Sequence, residues 1–261
     1  MMKHSKVLFF VGLLVMLLMA GCAKEATNIQ APVKKGSGTL TVGVRSEIMN
    51  FGYQNPTTKR RYGLEIDLAR HLAERMGYAD VKYVTAQPDQ REKLLAEGKV
   101  DCVIGCFSIT PERSMRMDFS QPYYKDQKRI VVAKSSMITK LSELRGKHVG
   151  MLKGSNGQLA LIQAMRETGS GTGDSIIFTE SDHYSQLSQW LEGGYVDAVI
   201  MDGSIAGSFN NDNRTYLRYS LGEQGYGIAT KKGSPLTKKV ADALFTLMDD
   251  GTVVKLIEKW N

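Results

Sequence analysis

The chain has 261 residues, a formal net charge of +7, and hydrophobic and charged fractions of 42% and 23%. That length holds one large domain or two modest ones with real cores, and the composition excludes both a disordered chain and a membrane bundle. The basic residues are scattered rather than gathered on one helix, so nucleic acid is not an expected partner despite the charge.

At the N-terminus, Lys3 and Lys6 precede an apolar run from Val7 to Ala20, which is too short for a stable membrane-spanning helix. A basic start, a short apolar core and the small pair Ala20-Gly21 spell a signal peptide over 1–21. Its removal takes two lysines and no acids, so the charge falls from +7 to +5. Leu18-Met19-Ala20-Gly21-Cys22 resembles the lipobox of bacterial lipoproteins, in which the cysteine is acylated, here at Cys22. Acyl chains such as palmitate would hold the protein at a membrane surface. Residues 22–38 then comprise the lipidated cysteine and a polar, Gly- and Pro-containing tether.

From Thr39 onward strand and helix patterns alternate, which predicts an α/β fold with largely parallel sheets. The first strand is Thr39 to Val44. Leu64, Leu68, Ala69, Leu72, Ala73 and Met76 share one helical face, and Gly77 stops that helix. Strands are expected at Val81–Val84, Val100–Ile104 and Arg129–Ala133, with a short helix carrying Leu94 and Leu95. A second series begins at Lys147–Leu152. It continues with a helix over Gln158–Glu167, a strand at Ile176–Thr179, a helix at Gln186–Glu192 and a strand at Val196–Met201. A strand at Gly227–Lys231 and helices from Pro235 and Thr252 finish the chain.

The pattern L-x-x-G-x-V-D-x-V-I occurs twice, from Leu95 and from Leu191. Ligands of open α/β sheets bind beyond the carboxyl ends of strands. Ser108 to Arg113 follow the first copy and Asp202 the second, so two facing units would make a cleft. Cys102 and Cys106 lie beside a strand, roughly 13 Å apart if extended, too far for a bridge. They read as buried small hydrophobes.

Four motifs come in order: Phe51-Gly52-Tyr53, then Gly63-Leu64-Glu65-Ile66-Asp67-Leu68-Ala69, then Ser108-Ile109-Thr110-Pro111-Glu112-Arg113, then Asp118-Phe119-Ser120-Gln121-Pro122-Tyr123-Tyr124. Together they resemble the family 3 solute-binding proteins of ABC amino-acid importers, nearest the glutamate/aspartate/glutamine-binding subgroup, from about Thr39 to the C-terminus. The resemblance implies the type II periplasmic-binding-protein fold, two α/β lobes joined by two hinge segments around a ligand cleft. It implies lobe 1 at 39–128 plus 225–261, lobe 2 at 129–224, and crossings near Arg129 and Gly225. The expected function is capture of a polar amino acid, glutamate or aspartate first and glutamine next. Delivery goes to an ABC permease by a monomer, lipid-anchored to the membrane and facing periplasm or exterior, with no cofactor and no metal.

In the resembling family the arginine of Pro-Glu-Arg clamps the α-carboxylate, here Arg113; a guanidinium fork suits a carboxylate and stays charged when desolvated. Without the motif, Arg113 would read as a surface residue paired with Glu112 or Asp118. Ser108 shares the clamp, and Cys106 stands where a small Gly or Ser is usual in the pocket. The loop Lys153-Gly154-Ser155-Asn156-Gly157, with Asn156 and Gly157 before a helix, resembles the one whose N–H groups meet the same carboxylate. Asp202 matches the acid that holds the α-ammonium, or is a plain N-cap for a helix from Gly203. Arg91 and Arg45 match the basic residues of acidic-amino-acid binders. Ile48 departs from a usual aromatic, and Asp182-His183-Tyr184 is one residue longer, leaving open whether His183 or Tyr184 reaches the pocket.

Two other functions use the same fold. A cyclic-acid dehydratase needs a neutral general acid near the ligand, for which His183 and Glu47 are the candidates. No Gly-x-Ser-x-Gly elbow and no metal-ligand spacing among His71, His148 and His183 supports other catalysis. The second alternative is a ligand-occupied lipoprotein that signals or adheres.

Overall fold

The structure, a computed structural model, describes residues 36–209 and 211–260. The signal peptide, Cys22 and the tether up to residue 35 lie outside the described residues. The chain enters through β1 (Thr39–Val44) and makes a small antiparallel sheet of β2 (Glu47–Ile48), β3 (Gly52–Gln54) and β4 (Arg61–Tyr62). It continues through α1 (Leu64–Arg75), β5 (Asp80–Thr85), α2 (Arg91–Ala96), β6 (Cys102–Val103), α3 (Pro111–Arg116) and β7 (Met117–Phe119). A long strand β8 (Tyr124–Ala133) leads into β9 (His148–Leu152), α4 (Gly157–Glu167), β10 (Ile177–Ser181), α5 (Tyr184–Glu192), β11 (Ala198–Asp202), α6 (Gly203–Phe209) and β12 (Arg214–Tyr216). The return runs through β13 (Glu223–Tyr226) and β14 (Ala229–Lys231) to α7 (Leu236–Asp249) and α8 (Thr252–Trp260).

Two large sheets result, ordered β5-β1-β6-β14-β7 and β10-β9-β11-β8-β12, and each belongs to one lobe. Parallel pairing holds only on one side of each sheet: β1 with β5 and β6, and β9 with β10 and β11. The β14 and β8 strands pair antiparallel. The expectation of largely parallel sheets is corrected to mixed ones. The strands that cross between lobes enter each sheet from the opposite direction.

Burial follows the sequence periods. Leu40, Val42 and Val44 alternate onto the buried face of β1, under Leu64, Leu68 and Leu72 of α1 and Val240 and Leu244 of α7. In the second lobe Ile130, Val132, Met151 and Ile200 pack against Leu161 and Met165 of α4. Val131, Val199 and Met201 face Leu187 and Leu191 of α5 on the other side.

The sequence repeat has a structural cause. Gly98 and Gly194 both turn the chain at φ near +70°, a conformation glycine adopts freely. Val100 and Val196 then enter the core. Asp101 accepts the Thr41 N–H at 2.7 Å and Asp197 accepts the His148 N–H at 2.9 Å. In each lobe the aspartate therefore ties an incoming strand to the start of its parallel neighbour.

Two extended segments join the lobes. Residues 124–127 of β8 pair antiparallel with 223–226 of β13, and β8 then runs on into the second sheet. Cys102 and Cys106 are free and buried, as expected. Among the described residues no helix is long and apolar enough to cross a membrane.

Candidate functional site

The carboxyl ends of the two sheets face each other across a small, nearly closed cavity of about 20 Å³, lined by residues of both lobes. Arg45, which follows β1, is 2% exposed, and its Nη2 donates to Glu47 Oε1 at 2.6 Å. Arg91 opens α2, is buried, and donates to the Gly105 carbonyl. The α3 helix is capped by Thr110, whose Oγ1 accepts the Arg113 N–H at 3.2 Å. That cap aims the Arg113 side chain inward. Its Nη1 donates to Ser108 O at 2.8 Å and its Nη2 reaches across to Gly154 O at 3.1 Å. The guanidinium groups of Arg91 and Arg113 both lie over Phe107, at 4.5 and 4.8 Å from its ring centroid.

The acids that the sequence offered to Arg113 are used elsewhere. Glu112 pairs with Arg116, and Asp118 pairs with Lys232. Asp202 likewise is no helix cap. The Ser204 N–H and hydroxyl, in the first turn of α6, bond to Asp126 on β8. Asp202 instead turns its carboxylate to the cavity wall, where Oδ1 accepts from Lys128 Nζ and from Gln224 Nε2, the latter at 2.7 Å. Gln224 in turn accepts the Ser108 hydroxyl at 2.7 Å.

Of the residues singled out in the sequence, Arg45, Arg91, Cys106, Ser108, Arg113, Asn156 and Asp202 line this one cavity. Gly157 does not. It packs on Ile200 inside its lobe, and its N–H lies 3.4 Å from Ser155 Oγ. Tyr184 lines the cavity, whereas His183 bonds Glu47 Oε2 at the mouth, 2.9 Å away across the lobes. Ile48 is buried in the core.

Sequence reading missed Lys128, a buried lysine beside Asp202. A signal existed. Lys128 is in phase with Ile130 and Val132 on the buried face of β8, where a lone lysine is out of character. Glu65, also missed, stands behind the wall, with Oε1 accepting the Cys106 N–H at 2.5 Å and the Tyr123 hydroxyl at 2.6 Å. It holds Cys106 at a φ of 47°.

Electrostatics at the cavity are one-sided. Four cationic side chains, Arg45, Arg91, Arg113 and Lys128, line it against the single carboxylate of Asp202. Burial, then the like charges of Arg45 and Arg113, push Arg91 down to about 9. Burial also lowers Arg113. Burial alone would raise Asp202, but the Lys128 charge and hydrogen bond, with that of Gln224, hold it below the usual carboxylate range. Arg45 Nε and Arg91 Nε are buried donors without a hydrogen-bond partner among the described residues. The arrangement suits an anionic ligand that also carries a cation for Asp202 Oδ2. No group of three or more His, Cys, Asp or Glu side chains among the described residues is placed to hold a metal ion.

Residues 40–261 match the family model for bacterial extracellular solute-binding proteins, family 3. The chain belongs to that family. A glutamine-binding ABC transporter protein of Bacillus subtilis (strain 168) is 28% identical over 276 residues, covering 99% of this chain and 97% of that one. Among solved structures, an ancestral arginine-binding protein bound to arginine is 31% identical with a TM-score of 0.73, covering 88% of this chain and 99% of that one. An ancestral amino-acid-binding protein described as a precursor of cyclohexadienyl dehydratase is 28% identical with a TM-score of 0.72, covering 85% and 95%. This family 3 protein has the two-lobed type II fold that its motifs announced, and it is a solute-binding protein.

Proposed function

We propose that the protein captures an acidic amino acid, glutamate or aspartate, between its lobes and delivers it to an ABC permease. The cation surplus of the cavity carries this reading. In it Arg113, Ser108 and the Asn156 loop take the α-carboxylate, and Asp202 takes the α-ammonium. Arg91 and Arg45 take the distal carboxylate, with Lys128 adding positive charge and Tyr184 an aromatic wall. Relatives named for glutamine and arginine share the fold and the coverage, so the cavity rather than the likeness favours the acidic ligand. An arginine side chain would meet four like charges there.

In the same reading residues 39–128 plus 225–261 form lobe 1 and 129–224 lobe 2. Signal cleavage leaves acylated Cys22 to anchor a monomer at the cell envelope. Its role is binding rather than catalysis. The two candidate acids for a dehydratase, Glu47 and His183, bond each other at the mouth, and neither lines the cavity.

A thermal-shift screen of the mature protein against the standard amino acids, followed by calorimetry on the hits, tests the assignment. Ligand at 100 times its dissociation constant adds about 2.7 kcal/mol. A selective rise with glutamate or aspartate is expected. A rise with arginine alone would overturn the ligand class while leaving the fold untouched.

A further inference from the structure

The two rims of the cavity close by different means. At one, His183 and Glu47 meet through side chains on half-exposed or exposed residues. At the other, backbone meets backbone. Gly154, in the loop between β9 and α4, sits at φ +73° against Pro88 and Asp89, in the loop between β5 and α2 of the opposite lobe. A Cβ built on Gly154 would lie 2.6 Å from Asp89 N, 2.7 Å from Asp89 Cα and 2.8 Å from the Pro88 carbonyl carbon. No real Cβ tolerates such distances, and a backbone cannot step aside as a flexible side-chain tip can.

The same loop carries the other bonds of this rim. Gly154 O accepts Arg113 Nη2 at 3.1 Å, and Lys153 Nζ stands 3.5 Å from Asp89 Oδ2. Pro88, Ser155 and Asn156 are cavity-lining neighbours of the contact.

We propose that Gly154 is a positioning residue for ligand capture, the point at which the absence of a side chain lets the lobes close fully. It acts through the fit of one lobe on the other and touches no ligand itself. The three atoms nearest its absent Cβ all come from the opposite lobe, so a side chain there meets that lobe first and obstructs closure. This rests on the reading that lobe closure captures an amino acid.

Gly146 supplies the control. It lies in the same lobe at φ +72°, with nothing within 4 Å of its absent Cβ. Gly146→Ala therefore imposes the same left-handed backbone strain without an interlobe clash. The two variants and the wild type are titrated by calorimetry with L-glutamate, L-glutamine and L-arginine. Each also carries spin labels at Phe245→Cys and Tyr195→Cys, exposed positions on the two lobes, for distance measurement.

Gly154→Ala is expected to bind about tenfold or more weaker than Gly146→Ala, because the closed population is depleted. Its label distance should stay long when ligand is added. Equal affinity and equal shortening in both variants would overturn the proposal. So would failure of Gly154→Ala alone to fold, which would make the glycine a requirement of its own lobe. If the wild type prefers glutamine or arginine, the acidic-ligand reading fails and the glycine is judged with that ligand. If it binds none of the three, the ligand-free label distance decides, and it must be longer in Gly154→Ala than in Gly146→Ala.

Discussion

Arg113 holds its charge between two backbone carbonyls, Ser108 O and Gly154 O, with no carboxylate of the described residues in salt-bridge reach. A guanidinium so placed has donors to spare and a strong appetite for an anion. Arg113→Ala is expected to weaken amino-acid binding by about 3–5 kcal/mol, since the ligand carboxylate would be desolvated without its partner. Calorimetry on the variant reads this directly, and unchanged affinity would remove Arg113 from the clamp. Lysine should not restore binding, because it lacks the planar fork. Arg91 is tested by discrimination. Arg91→Ala should reduce affinity for glutamate far more than for glutamine in a competition titration. Equal losses would show that Arg91 supports Phe107 and the Gly105 carbonyl instead.

At the scale of elements, the C-terminal helix is fastened by one carboxylate. Asp67 on α1 accepts from Lys259 Nζ at 2.7 Å and from Trp260 Nε1 at 2.8 Å, both on α8, and it also pairs with Arg70. Burial would raise Asp67, but those hydrogen bonds and charges outweigh it and hold the group below its ordinary value. A depressed folded-state value means the stabilisation is full above the unfolded-state value near 3.9 and fades as pH falls through the folded one. Asp67→Asn should therefore lose about 1–3 kcal/mol at pH 7. The gap to wild type should narrow near pH 3, measured by urea denaturation at both values. A gap independent of pH would mean that packing of the helix, not the charge, is what the substitution removes.

Elements of this size were legible where periodicity had room to repeat. β1 falls on Thr39–Val44, as read, and α1 on the Leu64–Met76 pattern within a residue. The β2, β3 and β4 strands have two or three residues each, too few for any alternation to show. The expected strand over Val100–Ile104 shrinks to Cys102–Val103, because Ile104 already leads into the turn that Glu65 fixes through Cys106. β8 is twice the length read from Arg129–Ala133. Its first half carries Lys125, Asp126 and Lys128, which look like loop until pairing with β13 explains them. The cavity residues followed the family motifs, and what escaped was charge whose partner is remote in sequence. Lys128 meets Asp202 across 74 positions and Glu65 meets Tyr123 across 58.

For the whole molecule, the two lobes have their own cores, joined where Ile205 and Tyr184 of the second pack against the core of the first. Arg113–Gly154, Lys153–Asp89, Glu47–His183 and Ser108–Gln224 are polar bonds between the lobes, and each joins groups that water can satisfy when the lobes part. Such contacts contribute little net free energy, because parting exchanges them for hydration. On the proposed reading, a ligand carboxylate and ammonium that bridge both lobes would therefore decide the balance.

The β8–β13 ladder gives this motion its mechanical character. Four residues on each strand are paired where the chain crosses between lobes, so the link is a ribbon of two strands rather than a pair of loose threads. A ribbon yields by changing twist while its rungs stay made. Amide protons within 124–127 and 223–226 should accordingly resist exchange with deuterium equally with and without the amino acid. Exchange that quickens in the empty protein would mean that the rungs break. Torsion of an intact ladder releases little chain entropy on opening, and so little must be recovered on closing. The molecule would then work as a torsion spring with a low spring constant and a well-defined axis.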